Sequence, residues 1–164
     1  MILVTVGTQL PFDRLIRWMD AAADIVDDEI VAQSGTGTYQ ATRFNAQPWI
    51  APGDFDRLVS SARLIVSHAG IGSVLAAQRH GRPIVLVPRL ASLKEHRNDH
   101  QRATVCALRD RPGIYIAEDE NRLREILSSP VAAAAEAYAG EADRARLRNS
   151  IADFIQGSGK VTAA

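Results

Sequence analysis

Three polar stretches hold most of the chemistry this chain can offer. Ser67-His68-Ala69-Gly70-Ile71-Gly72-Ser73 follows the apolar run Leu64-Ile65-Val66 and opens a segment with helical spacing. Two glycines there let the backbone approach a ligand closely, the unpaired amides of a helix start face outward, and the dipole favours negative charge. His68 and the Ser73 hydroxyl add hydrogen-bonding groups. The functional reading is a diphosphate cradle, and the competing one is a tight turn capped by Ser73. The spacing is neither the three-glycine dinucleotide fingerprint nor a phosphate loop with its Lys-Ser/Thr, which sets aside generic NAD and ATP sites. A second turn, Gly7-Thr8-Gln9, ends the first apolar run and either brings further amides to an anion or is a packing glycine.

The third stretch runs from Pro88-Arg89 to Asp99-His100-Gln101, a long polar loop at the end of an apolar run. Asp99 and Gln101 suit the vicinal hydroxyls of a sugar; alternatively, Asn98 with Gln101 three residues later starts a helix as a capping box. His96 and His100 are four residues apart beside Glu95 and Asp99, so a metal site arises as a candidate. The pattern lacks the Glu of His-Glu-x-x-His and a third ligand, and no metal is expected. Ser67 beside His68 is not a nucleophile elbow, because no Gly-x-Ser-x-Gly surrounds it. Cys106 reads as a core residue. Trp18 and Trp49 read as packing residues, Trp49 being the better placed to meet a nucleobase.

These loops need a scaffold, and the remaining pattern supplies one. Apolar runs at 2–6, 30–33, 64–67, 84–87 and 114–117 read as buried strands of a parallel sheet. Stretches with helical spacing at 12–27, 55–62, 71–80, 99–109 and 119–128 alternate with them, giving a Rossmann-like, doubly wound α/β fold. In such a fold ligands bind at the carboxyl ends of the strands, where all three polar loops lie. Residues 35–53 are irregular, with room for an extra strand. After Pro130 the sequence turns to Ala, Glu and Arg, and a helical segment is expected over 131–156, with Leu147, Ile151, Phe154 and Ile155 as its apolar stripe and 157–164 as a frayed tail. One domain over 1–156 accounts for the chain.

With 164 residues, 19 Lys+Arg against 19 Asp+Glu and 46% hydrophobic residues, the chain has the composition of an ordinary globular domain with no global field to gather nucleic acid. A single cysteine excludes an intramolecular disulfide. No membrane span or signal peptide is evident, so the chain is expected to be cytoplasmic.

Met1 to Asp13, with Val-Gly-Thr-Gln and then Pro-Phe-Asp, together with Ser67 to Ser73 and Asp99-His100-Gln101, resembles the C-terminal domain of glycosyltransferase family 28. Pro88-Arg89, Glu95-His96 and Asp99-His100-Gln101 look like the small catalytic subunits of two-component bacterial exopolysaccharide glycosyltransferases, the PssE type. The resemblance implies the donor-binding half of a GT-B enzyme that transfers a sugar with inversion from a UDP-sugar to a lipid-linked acceptor, without cofactor or metal. It implies that His68, Gly70, Gly72 and Ser73 hold the diphosphate, with Gly7 and Thr8 approaching from the first strand. Arg89, Glu95, His96, Asp99, His100 and Gln101 then fall at the donor sugar, Arg89 as a partner for a glucuronate carboxylate, and Ile50 and Pro52 beside uracil.

Relatives carry a Glu three positions after the motif serine to bind ribose. This chain has Ala76 there, so either Gln78 or a loop residue substitutes or the donor is held differently. The acceptor site and general base are expected on a membrane-anchored partner subunit of the PssD type, which would recruit the chain to the inner face of the membrane, with the segment 147–155 docking on it. The alternative from another class is a non-catalytic nucleotide-sugar-binding or regulatory subunit. A metal-dependent hydrolase built on Glu95, His96, Asp99 and His100 is the remaining rival.

Overall fold

The computed structural model describes residues 1–130 and, beyond them, Asn149 alone. The helix expected over 131–156 and the tail after it lie outside the described residues.

Six strands, β1 (Ile2–Thr5), β2 (Ile30–Gln33), β3 (Asn45–Gln47), β4 (Leu64–His68), β5 (Ile84–Val87) and β6 (Ile114–Ile116), form one sheet in the order β3-β2-β1-β4-β5-β6. Every pairing is parallel. Five helices connect them: α1 (Asp13–Ala22), α2 (Pro52–Ser61), α3 (Ile71–Arg79), α4 (His100–Leu108) and α5 (Glu120–Ser128). The chain winds outward from β1 to β3, then returns to place β4 on the other side of β1. Strand order therefore reverses between β1 and β4, and the loops that leave their carboxyl ends diverge to open a crevice.

Alternation along the strands sorts the core into two layers. Ile2, Val4, Leu64, Val66, Val85 and Val87 pack with Leu15, Ile16 and Met19 of α1 and with Leu123, Ile126 and Leu127 of α5. Leu3, Ile65, Ile84 and Leu86 pack on the other face with Val59 of α2, Val74 and Ala77 of α3, and Val105 and Leu108 of α4. Helices thus cover both faces, which is why the central strands read as unbroken apolar runs.

Three local expectations need correction. The first helix was expected to reach residue 27, but it stops at Ala22; a 3-10 turn, Ala23–Ile25, leads to extended Val26 and the entry to β2. The second helix begins at Pro52, not residue 55, because a proline without an amide hydrogen suits the first helical position. Cys106 is exposed, not core: α4 buries Gln101, Thr104, Val105 and Leu108, and position 106 falls off that face. The irregular region does contain the extra strand, β3, paired through Val31 with Asn45 and Gln33 with Gln47.

Candidate functional site

A cleft of about 730 Å³ opens at the carboxyl ends of the strands, over the β1/β4 reversal. Thr5 and Gln33, paired at the last positions of β1 and β2, line its floor. Its walls include Gly7 and Thr8 after β1, His68 to Ser73 after β4, His96, His100 and Gln101 after β5, and Ile50 and Pro52 before α2. These are the positions that sequence reading singled out from four separate segments.

The middle of the cleft is built around His68. Its ring lies between the two glycine turns: a Cβ on Gly7 would come within 2.6 Å of Cε1, and one on Gly70 would overlap Nε2. Gly7 also has φ +78°, a left-handed conformation that side chains disfavour. Both glycines are therefore explained by the imidazole they enclose. Gly72 is different. A Cβ there would meet no protein atom within 4 Å, and Gly72 lines the cleft at the second position of α3. Gly70 caps that helix without a side-chain hydrogen bond, so Ser73 does not act as the cap. The amides of Ile71 and Gly72 have no partner among the described residues. This leaves two donors and the positive end of a helix facing open cleft beside the Ser73 side chain, an arrangement suited to a phosphate.

Burial, together with the nearby Arg89 charge, pushes the His68 imidazole down to about 4, against a hydrogen bond to the Thr5 backbone. His68 is thus neutral at pH 7, with Nδ1 3.3 Å from Ser67 Oγ. Because the unfolded chain binds this proton near pH 6.5 and the folded one only near pH 4, His68 destabilises the fold progressively as pH falls across that window. We expect wild type to lose about 2–3 kcal/mol more stability between pH 6.5 and 4 than His68→Gln, measured by urea unfolding at each pH. Parallel pH profiles for the two proteins would contradict this.

At the β5 end the structure divides the expected sugar-binding residues. Gln101 is buried, and its Oε1 accepts the Arg89 amide at 3.0 Å, leaving the Nε2 hydrogens for the cleft. It does not cap α4. His96 and His100 also line the cleft, with ring centroids 4.4 Å apart in an edge-to-face arrangement, and Nδ1 of His96 is buried without a partner among the described residues.

Arg89, Glu95 and Asp99 are committed elsewhere. Arg89 is 2% exposed and donates to the carbonyls of Val6, Leu10, Pro11 and Glu95, with its guanidinium 4.6 Å from the Phe12 ring centroid. Glu95 accepts two hydrogen bonds from Arg14, at 2.7 and 2.8 Å, and one from the Leu90 amide. Asp99 Oδ1 accepts the Ala91 amide. Arg89 also lines the cleft, while its Nη1 and Nη2 hydrogens tie the β1 loop to the β5 loop. The hydrolase cluster is dispersed for the same reason, and among the described residues no three His, Cys, Asp or Glu side chains gather to hold a metal.

Toward the expected base side, Ile50 is buried and Trp49 is 58% exposed at the rim. Sequence reading missed Gln33, Phe55, Asp56 and Arg79, which also line this part. Gln33 holds the wall in place: Oε1 accepts the Ile50 amide and Nε2 donates to the Gly7 carbonyl. A buried glutamine ending an apolar strand was the available signal. Gln78, named as a substitute for the absent glutamate, is buried and outside the cleft lining. Ala76 does line the cleft.

A family profile, the glycosyltransferase family 28 C-terminal domain, matches residues 1–155. Among solved structures, the glycotransferase of kitacinnamycin is similar at 22% identity and TM-score 0.62, over 94% of this chain and 42% of that one. A glycosyltransferase of Streptomyces sp. SF2575, complexed with thymidine diphosphate, is similar at 17% identity and TM-score 0.58, over 84% of this chain and 36% of that one. A UDP-glucose:anthocyanidin 3-O-glucosyltransferase in complex with UDP is similar at 16% identity and TM-score 0.55, over 98% and 36%. The chain spans about two fifths of these proteins. No curated protein matches it in sequence. The likeness establishes the fold as the Rossmann-like C-terminal half of a GT-B architecture.

Proposed function

From the premise that the chain belongs to the glycosyltransferase family 28 C-terminal domain family, we propose that it binds the donor, a UDP-sugar, for an inverting glycosyl transfer completed by a second polypeptide. The observation that carries this reading is the first turn of α3, where the unpaired Ile71 and Gly72 amides face a cleft that Gly72 leaves unobstructed. A diphosphate fits there, with the nucleobase toward Ile50 and Pro52 and the sugar toward Gln101, His96 and His100. Neutral hydrogen-bonding groups such as the Gln101 amide suit sugar hydroxyls. With Arg89 occupied by carbonyls, a neutral hexose is a better match to this end than glucuronate.

In the reaction, an acceptor hydroxyl oxygen attacks the anomeric carbon as the bond from that carbon to the diphosphate oxygen breaks. The acceptor proton passes to a base, and the electron pair leaves with the diphosphate. The α3 amides and dipole stabilise the charge that develops on the leaving group, as preorganised donors do. The base and the acceptor site are assigned to the partner subunit, which would be membrane-anchored and hold a lipid-linked acceptor for exopolysaccharide synthesis. Supporting a covering partner, the exposed large hydrophobics among the described residues, Leu10, Trp49 and Leu93, all sit in connections that follow the carboxyl ends of β1, β3 and β5. Among the described residues no helix is long and apolar enough to cross a membrane, so membrane recruitment is assigned to the partner.

Calorimetric titration with UDP, UDP-GlcNAc and UDP-glucuronate tests the donor site. We expect UDP to bind, a UDP-hexose to bind at least as well, and a chelator to leave both unchanged. If none of the three binds, the donor-site reading is wrong.

A further inference from the structure

An ion pair at the root of the connection from β5 to α4 does not line the cleft, yet its bonds lead to residues that do. Arg14 of α1 donates from Nε and Nη2 to the two oxygens of Glu95, at 2.7 and 2.8 Å, and from Nη2 to the Pro88 carbonyl at 2.8 Å. Its guanidinium also lies against two rings, 4.5 Å from the centroid of Trp18 and 5.1 Å from that of Phe12. Both charged side chains are largely withdrawn from water, at 13% and 11% exposed.

From Glu95 the bonds run on toward the sugar end. Glu95 Oε2 accepts the Leu90 amide at 2.9 Å, and the Glu95 amide donates to the Leu90 carbonyl at 3.2 Å. Leu90 follows Arg89, whose amide donates to Gln101 Oε1 at 3.0 Å. Glu95 directly precedes His96, and both His96 and Gln101 line the cleft. An apolar pair of similar volume would hold α1 against this connection about as stably. What a guanidinium fork on a carboxylate adds is direction, because two parallel bonds fix the angle as well as the distance.

We infer that Arg14 and Glu95 are positioning residues for donor-sugar selection: without touching the donor, they orient the segment that carries His96 and the Arg89 amide that holds Gln101. The inference rests on the donor-site reading and deepens it, since the choice among hexoses is assigned to a contact between residues 81 apart in the chain. One hydrogen bond to a sugar hydroxyl, made or misplaced, corresponds to about a tenfold change in affinity.

The test is calorimetric titration of the full chain with UDP, UDP-glucose, UDP-galactose and UDP-GlcNAc, on wild type, Arg14→Met, Arg14→Lys, Glu95→Gln and the Arg14→Met/Glu95→Gln double variant. UDP carries no hexose and is the internal control for the rest of the site. Arg17→Met removes an exposed charge from the same helix and controls for net charge. Wild type and Arg17→Met are expected to separate the strongest from the weakest UDP-hexose by about tenfold or more. In Arg14→Met and Glu95→Gln that spread falls below about threefold while UDP affinity stays within about twofold of wild type. Arg14→Lys loses the spread too, because an ammonium keeps the charge without the fork. The double variant is no worse than either single one, as for two residues acting as a unit. Glu95→Gln keeps an acceptor for the Leu90 amide, so the comparison stands even where Arg14→Met fails to fold. A spread retained in Glu95→Gln and Arg14→Lys, or a loss that UDP shares equally, reduces the pair to a fold element and overturns the inference. If wild type binds UDP but does not distinguish the hexoses, the inference is overturned while the donor site stands. If none of the four binds wild type, the donor-site reading fails and takes the inference with it.

Discussion

Gly72→Asp is expected to weaken UDP binding by at least about 100-fold while leaving thermal stability unchanged or slightly raised. A Cβ at this position meets nothing within 4 Å, and the side chain extends into the open cleft. An acidic residue in the first turn of α3 interacts favourably with the dipole, by about 0.3–1 kcal/mol. The same carboxylate stands where a diphosphate would sit. Two unit charges about 4 Å apart repel by about 4 kcal/mol at an effective dielectric of 20, which is roughly a thousandfold in affinity. Gly72→Ala adds bulk without charge and should cost much less. The paired measurement is calorimetric titration with thermal unfolding of each variant. A Gly72→Asp protein that folds normally and keeps UDP affinity within about threefold would place the diphosphate elsewhere.

Arg89→Ala should act on the fold and not on sugar choice. The guanidinium is withdrawn from water and stays charged because its donors meet four carbonyls of two loops, with Glu95 nearby. Burial is the main effect that pushes it down to about 10, and the Glu95 charge opposes that shift. Removing it strips the donors from four main-chain acceptors, leaves Arg14 as the one cation hydrogen-bonded to Glu95 among the described residues, and opens a void against Phe12. Losses of this kind amount to about 3–5 kcal/mol. With a urea slope of about 2 kcal/mol/M, the unfolding midpoint should fall by roughly 2 M. Arg89→Lys should recover little, because an ammonium cannot reproduce the planar fork. A midpoint within about 0.3 M of wild type would show that the loops hold together without it.

The central strands were legible because each is buried on both faces, and a continuous apolar run is what that burial requires. Ile30–Gln33 and Ile84–Val87 were delimited correctly from this alone. Residues 34–44 were opaque for a tertiary reason. They are held by two carboxylates of α1: Asp13 accepts from the Thr38 amide and hydroxyl, and Asp20 from the amides of Thr42 and Arg43 and the Tyr39 hydroxyl. Those bonds span about twenty residues and leave no periodicity to read.

The same distinction explains the site. Glycines beside a strand end announce a close approach: Gly7 and Gly70 enclose the His68 ring, and Gly72 lines the cleft. Whether an arginine at a strand end points to a ligand or back into its own loops depends on where carbonyls 78 to 83 residues away are placed. Asp56 escaped notice for a similar reason: α2 and α3 are neighbours only after the sheet forms, and an exposed Asp on a helix resembles any solvated charge.

Every acceptor of Arg89 is a peptide oxygen, so the bonds that shape the β1 loop ignore which side chains the loop carries. Thr8, Gln9 and Leu10 are exposed on that loop and face the cleft. Positions 8 to 10 can therefore drift, or be redesigned, over a wide range of chemistries without releasing the backbone that sets the geometry beneath them. Change in what this rim contacts is separated from change in how the pocket is built, which makes the loop a place where new rim contacts can be acquired through single substitutions.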